Sequence, residues 1–315
     1  MDKSKRRWLV VLVAVAVLFT AAITQWRAAI KRNRQIPFEP FHIAGNLYYV
    51  GTSDVTAFLL TGPQGHVLID GGYPESAPMI VQSMAKLGFR ITDVKVLLNS
   101  HAHFDHAGGL KELQEASGAE LWVSEGDADA VASGGVHDPS ATFLPFKFLA
   151  SLHIFNFPAA RVDHRFQDGA TIRLGPIELT AHVTGGHTRG CTSWSFPVHD
   201  GDRELQAVSI CSLSLLPGMS FVEPERYPGI RADFERSFRT LRSLPADIFL
   251  GAHASFFDMH RKLRERAQAQ DPVDPFIDRE GYLEYIEDAE TRFRKAVSPR
   301  ARRSVPHAPV SPGQG

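Results

Sequence analysis

Asn99-Ser100-His101-Ala102-His103-Phe104-Asp105-His106-Ala107-Gly108-Gly109-Leu110 carries four strong metal-binding side chains within six positions, followed by small, permissive residues. Three imidazoles and a carboxylate this close would conflict electrostatically when protonated, and each would need a partner if buried. A divalent transition metal resolves both problems, because neutral imidazole nitrogen and carboxylate oxygen are donors that zinc takes. His101 and His103 stand two apart, so on an extended or loop backbone they point the same way. Asp105 and His106 are neighbours and diverge, which gives one short peptide donors for two ions. Just before it, Val94-Lys95-Val96-Leu97-Leu98 reads as a buried strand. The donors therefore sit on a loop at a strand's carboxyl end, where α/β sheets usually place their sites. After them, Gly108-Gly109 lets the chain turn into a helix from Leu110 to Ala116.

Two ions need more donors than this stretch holds. His187, in Thr184-Gly185-Gly186-His187-Thr188-Arg189-Gly190, follows a strand and lies among three glycines in a turn, where a side chain is presented rather than packed. His253 ends another strand between Ala252 and Ala254, whose small side chains leave room for an ion and a substrate. The other histidines, out of 14 in all, lack such a setting. His66 opens a strand, His182 lies within one, and His42, His137, His153, His164, His199, His260 and His307 stand alone. Each of these is read as an ordinary surface or core histidine.

Short β-prone runs begin at Phe41: Leu47 to Val50, Thr56 to Leu60 and His66 to Asp70, separated by turn signals as in an antiparallel meander. An amphipathic helix follows from Glu75 to Leu87, stopped by Gly88. Glu120 to Ser124 reads as a strand and Asp127 to Ala132 as a short helix. Later strands are expected at Thr171 to Leu174, Ile177 to Val183, Ser193 to Phe196, Leu205 to Ile210 and Asp247 to Leu250. Helices are expected at Arg231 to Leu241, Met259 to Ala269 and Gly281 to Ala296. Each half thus has a meander, a helix and a site loop at a strand end. That order predicts a single α/β domain with two sheets stacked face to face between helical layers. The segment 143–157 carries five phenylalanines and fits neither period. Packing on its own core is the plain reading; a mobile apolar flap over the site or a membrane-touching patch are the others.

At 315 residues, 43% apolar and 22% charged, the chain has the makings of a globular protein with a sizeable core. A net charge of −1 gives no reason to expect nucleic acid as a partner. Cys191 and Cys211 are too few for a disulfide framework, and spacing does not decide whether they bridge. Residues 1–35 read as a targeting segment: Lys3, Lys5, Arg6 and Arg7, an apolar run from Trp8 to about Thr24, then a second basic cluster. As a helix the run would span about 25 Å, long for a signal-peptide core and slightly short for a membrane span. Export is expected, to the periplasm if the source is bacterial, as a cleaved soluble domain or one anchored in the inner membrane. The catalytic domain is assigned to 36–297, and the Pro-, Arg- and Ser-rich tail at 298–315 is expected to be disordered.

These features together resemble the metallo-β-lactamase superfamily, over nearly the whole chain from about Phe41 to the closing helix. The His-x-His-x-Asp-His pattern at 101–106 is highly specific, and His187 and His253 occur in the family's order. The resemblance implies a four-layered αβ/βα sandwich in which His101, His103 and His187 hold one zinc and Asp105, His106 and His253 a second. Glyoxalase-type and lactonase-type members carry a metal-bridging aspartate on the strand end between the last two histidines. Here that strand reads Ala207-Val208-Ser209-Ile210-Cys211-Ser212-Leu213-Ser214, without one. Ser212-Leu213-Ser214, the run from Gln64 to Gly72 and the run from His187 to Trp194 are instead similar to the third subclass of the lactamases.

What this resemblance implies is a zinc-dependent β-lactamase with two Zn2+ per chain, opening the ring of penicillins, cephalosporins and carbapenems and so giving antibiotic resistance. It would act on small molecules, and a monomer is expected. A zinc-held hydroxide, its pKa lowered from 15.7 toward about 7, would attack the lactam carbonyl with Asp105 orienting it. Ser212 and Ser214 would hydrogen-bond the substrate carboxylate, and Asp70 would accept a ligand's free N–H. Two departures stand out. Arg189 occupies a position where proline is usual after His-Thr. Cys211 is next to Ser212, so a one-residue change of register would offer a thiol to the metals, although alternation with Ser214 favours Ser212. The alternative substrate is another ester, lactone or thioester, which the missing aspartate disfavours.

Overall fold

The computed structural model describes residues 36–136, 156–216, 219–221 and 225–298, together with Trp8. Residues 1–35 apart from Trp8, expected above to be a targeting segment, the residues beyond Ser298 and the aromatic stretch apart from Asn156 and Phe157 lie outside the described residues.

Seven strands form the first sheet in chain order: Phe41–Ala44 (β1), Leu47–Tyr49 (β2), Phe58–Leu60 (β3), His66–Ile69 (β4), Val94–Leu98 (β5), Glu120–Ser124 (β6) and His164–Phe166 (β7). β1 to β4 are antiparallel, and β4 to β7 are parallel. Strand alternation sorts their side chains between two cores. Phe58, Leu60, Val67, Ile69, Val96 and Leu98 join the core shared with the second sheet. Leu59, Leu68 and Leu97 point the other way, onto helices Ala77–Lys86 (α1) and Leu110–Ser117 (α2). This is why Val96-Leu97-Leu98 is apolar without a break: both faces of β5 are buried. A short helix, Ala128–Ala132 (α3), follows β6.

The second sheet holds Thr171–Leu174 (β8), Ile177–Val183 (β9), Thr192–Asp200 (β10), Arg203–Ile210 (β11) and Ile248–Gly251 (β12), in the order β12-β11-β10-β9-β8. β8 to β11 are antiparallel, while β12 pairs parallel to β11. Ile230–Ser243 (α4) and Arg279–Val297 (α6) bury Phe234, Phe238 and Leu241, and Tyr282, Ile286, Ala289 and Phe293, against this half of the core. The latter spacing is that of one helix face. The Asp278 carboxylate starts α6 by accepting from the Gly281 N–H at 2.9 Å. Between them lies Met259–Arg266 (α5). Its Lys262 is fully buried, with Nζ 2.7 Å from Asp278 Oδ2.

The two stacked sheets with outer helices are the architecture expected from the sequence, and the differences are local. β7 was missed because three residues, two of them polar, show no periodicity. The β10–β11 hairpin runs on to an Asp200–Arg203 pair whose polar ends hide its length. α1 starts later than Glu75 because Pro74–Ser76 forms a 3-10 turn, and α5 stops at Arg266 rather than Ala269.

Strand direction then concentrates the chemistry. β4, β5 and β6 are parallel, and β9, β11 and β12 share a direction in the second sheet. The chain leaves these ends at Asp70, Asn99, Glu125, Thr184, Cys211 and Ala252, and every candidate donor follows one of those exits. Trp194 lies fully buried between the sheets, with its ring edge-on to Phe166 at 5.3 Å. Trp194→Ala should cost about 3–5 kcal/mol through lost burial and an unfilled cavity. A denaturant midpoint within error of wild type would show that the sheets repack around the gap.

Candidate metal centre

The loop after β5 is organised by Asp70, which ends β4 with φ 65°, in the left-handed region that L residues rarely adopt. One oxygen accepts from the Ser100 N–H at 2.6 Å and from Asn99 Nδ2 at 3.2 Å. The other accepts from the Ser100 hydroxyl at 2.6 Å and lies 3.3 Å from His106 Nδ1. The turn bearing His187 is propped by α4: the Ser237 hydroxyl donates to the Gly185 carbonyl at 2.8 Å. Gly186 there has φ 135°, and a Cβ would come within 2.7 Å of the Phe234 ring, so no side chain fits.

All six predicted donors meet at this edge, in two adjoining groups. In the first, ligand atoms of His101, His103 and His187 lie within 4.8 Å of one another. His187 Nδ1 donates to the Ser214 carbonyl at 2.9 Å, which can only accept. The neutral ring therefore carries its lone pair on Nε2, 3.1 Å from His103 Nδ1. The Ser100 hydroxyl, its proton given to Asp70, accepts from His101 Nδ1 at 3.1 Å and turns His101 Nε2 inward. In the second group, His106 Nε2 and His253 Nε2 are 3.2 Å apart, and Asp105 Oδ2 is 3.5 Å from the former and 3.7 Å from the latter. Asp54 Oδ2 lies 3.2 Å from His253 Nδ1 and holds that ring from outside. The groups touch through His101 and His106, whose ring centroids are 4.1 Å apart.

His101 and His187 turn lone pairs inward beside His103, and a divalent cation is what this donor set fits. Protonation states agree. Burial holds His101 and His187 well below the ordinary imidazole value and His103 down at about 4, which leaves three neutral donors near pH 7. Burial opposes charge on Asp105 too, but His106 beside it outweighs that and keeps the carboxyl far below its usual range. Burial likewise lowers His106, yet Asp105 and Asp70 prevail and hold it up at about 10. A proton on His106 thus fills the cation's role when no ion is bound.

Cys211 is not a thiol ligand. It is bridged to Cys191, and its sulfur sits 3.5 Å from the outer nitrogen of His101 as half of a disulfide. Ser212 is buried, and its Oγ accepts from the Ser214 N–H at 3.2 Å; Ser214 itself is half-buried. Arg189 points outward, lining a cavity of about 720 Å³ with Asp129, Asp233 and Arg236. Sequence reasoning missed Asp54 and Asp127, whose carboxylates grip the donor loops from behind. A lone aspartate before a turn carries no signal of such a contact. Of the other described histidines, His42 bonds the Gly45 carbonyl, His66 accepts from the Gly62 N–H, His164 faces Glu120, His182 bonds Ser195 and His260 the Ser53 carbonyl, all away from the donors.

The family model for the metallo-beta-lactamase superfamily matches residues 50–202. The solved structure of native FEZ-1 metallo-beta-lactamase from Legionella gormanii is 40% identical, with a TM-score of 0.76, over 82% of this chain and 97% of that one. The chain belongs to the metallo-beta-lactamase superfamily. A second structure in that superfamily, BJP-1 of Bradyrhizobium japonicum, described as a subclass B3 metallo-beta-lactamase, is 33% identical with a TM-score of 0.75, covering 86% and 97% of the two chains. Among curated relatives, a hydroxyacylglutathione hydrolase of Jannaschia sp. (strain CCS1) is 28% identical over 144 residues, 46% of this chain and 44% of that one. The chain spans about half the length of such curated relatives. The metallo-beta-lactamase fold is therefore shown by sequence and structure alike, and the six donors are candidate metal ligands of a hydrolase of that superfamily.

Three buried imidazoles with lowered proton affinity make acid destabilising for the metal-free protein. Unfolding returns each to its ordinary value of 6.5, so the unfolded chain binds more protons below that pH. The His106 contribution has the opposite sign but is fully present below 6.5 and lost only toward about 10, so it does not offset the trend. After chelation, stability should fall as the pH drops from 6.5 toward about 4, read as a declining urea midpoint. A midpoint that holds constant across this range would contradict the burial of neutral imidazoles.

Proposed function

We propose that the chain is a dizinc β-lactamase. The observation that carries this reading is the end of β11, where Ser212-Leu213-Ser214 stands beside the six donors and no acid is present to bridge two ions. Its likeness to FEZ-1 and to the subclass B3 enzyme BJP-1 supports the same substrate class.

His101, His103 and His187 would hold one zinc, and Asp105, His106 and His253 the other. Bound there, the ions would supply an acidified water and a Lewis acid for the carbonyl oxygen. Asp105 would help hold an ion and, through its carboxylate, orient the attacking water. The half-buried Ser214 hydroxyl reaches the substrate carboxylate, and Ser212, through the Ser214 N–H, fixes where that hydroxyl sits. The Ser214 carbonyl holds His187, so substrate and metal subsites share one strand end.

We also propose export to an oxidising compartment. The Cys191–Cys211 bridge supports it, since disulfides seldom persist in a reducing cytosol. Protein unfolded without reductant should contain no free thiol by colorimetric titration; two free thiols would contradict the bridge.

The purified, zinc-loaded protein should open penicillins, cephalosporins or carbapenems, and a chelator should abolish this. Absence of chelator-sensitive ring opening on all three would sink the lactamase reading. His187→Ala should lower zinc content and activity together, with kcat/KM falling roughly a hundredfold or more. Kinship with a hydroxyacylglutathione hydrolase favours a second reading, hydrolysis of a thioester or another ester. Turnover of such a substrate by a preparation inert to β-lactams would establish it.

A further inference from the structure

We propose that Asp127 is a positioning residue for the first metal group: its carboxylate latches the loop bearing His101 and His103 to the turn bearing His187. Asp127 stands between β6 and α3, is 3% exposed, and is not itself a donor to either group. Its Oδ2 accepts from the Ala102 N–H at 2.9 Å and the Thr188 hydroxyl at 2.6 Å. Its Oδ1 accepts from the Gly190 N–H at 2.7 Å. Ala102 lies between the two histidines of one loop, and Thr188 directly follows the histidine of the other. One carboxylate therefore takes a hydrogen bond from inside each ligand-bearing segment.

The surroundings are built for that contact. The Ser124 hydroxyl donates to the Gly190 carbonyl at 2.6 Å, and the Thr192 N–H to the Ser100 carbonyl at 2.8 Å. A Cβ on Gly190 would stand 2.1 Å from Ser124 Oγ and 2.5 Å from the Asp127 nitrogen. One on Gly126 would stand 2.8 Å from the Gly190 Cα, so only glycine at both positions permits the approach. Three converging donors need an acceptor on both oxygens, which a carboxylate provides and an amide does not.

The first group takes two donors from one sheet's loop and one from the other sheet's turn, so its bite depends on their offset. The second group draws Asp105 and His106 from one loop, and its distant member, His253, is held by Asp54 instead. Loss of the latch should therefore weaken the groups unequally. Asp163 provides a control: its carboxylate accepts from Gln114, Leu121 and Arg161 at 2.6–2.9 Å, away from every donor.

The inference rests on His101, His103 and His187 being a metal group, and the test separates the two ideas. Metal-free wild type, Asp127→Asn, Asp163→Asn and the milder Thr188→Val are titrated with cobalt(II) against a competing chelator, following visible absorption. Wild type should bind two ions. Asp127→Asn should bind one of them about 10- to 100-fold more weakly with an altered spectrum, leaving the other unchanged. Thr188→Val should show a smaller loss in the same band, and it decides the matter if Asp127→Asn does not fold. Asp163→Asn should lower thermal stability and keep both affinities. Wild-type affinities and spectrum in Asp127→Asn, or equal weakening in Asp163→Asn, would overturn the latch. Wild type that binds no cobalt would remove the metal group and the latch with it.

Discussion

Asp70 gives up a relaxed backbone conformation so that its carboxylate can take the Ser100 N–H, the Ser100 hydroxyl and the Asn99 amide while facing His106. The strained φ costs of order 1–3 kcal/mol, a cost sustained only where the surroundings over-determine it. Here they do. The first two contacts set the path of the loop as it leaves β5, and the hydroxyl, its proton committed, orients His101. Contact with His106 gives the second group its inner anchor. Asp70 thus helps aim one ring in each donor group, His106 directly and His101 through the Ser100 hydroxyl.

The same device recurs around the site at lower density. Asp127 grips the first loop and the His187 turn, Asp54 grips His253, and the Ser214 carbonyl grips His187. None of these acceptors belongs to the metal-facing surface, yet Asp54 and the Ser214 carbonyl determine which nitrogen of His253 and His187 faces inward, and Asp127 sets where the loops stand. Neutral imidazole can be a ligand on only one nitrogen while the other donates, so an outer acceptor selects the tautomer. A site assembled from two sheets needs such acceptors because the strands themselves place a histidine only to within a turn's freedom.

Much of this was legible in the sequence, for identifiable reasons. The donor motif at 101–106 is dense, and His187 and His253 each follow a strand and sit among small residues, so composition and position agreed. Buried strands such as β5 were readable because both faces are apolar. Asp54 and Asp127 were not legible, because an isolated aspartate looks the same whether solvated or buried against a distant N–H. The Cys191–Cys211 bridge was undecidable from spacing, since its closure depends on β10 and β11 being neighbours. That pairing also settled the register question: Cys211 is bound to its partner and has no thiolate to offer a metal.

One asymmetry in the site reaches beyond its geometry. In the first group His101 is 1% and His187 6% exposed, and His187 is anchored on a backbone carbonyl. In the second, the side chains of Asp105 and His253 are 18% and 22% exposed, and the outer anchor Asp54 is 60% exposed. Water therefore reaches the first group past the half-buried His103 alone and the second past both Asp105 and His253, while His106 stays fully buried. The hold on His253 is thus made in competition with water, whereas the grips of Asp70 and Asp127, 2% and 3% exposed, are not.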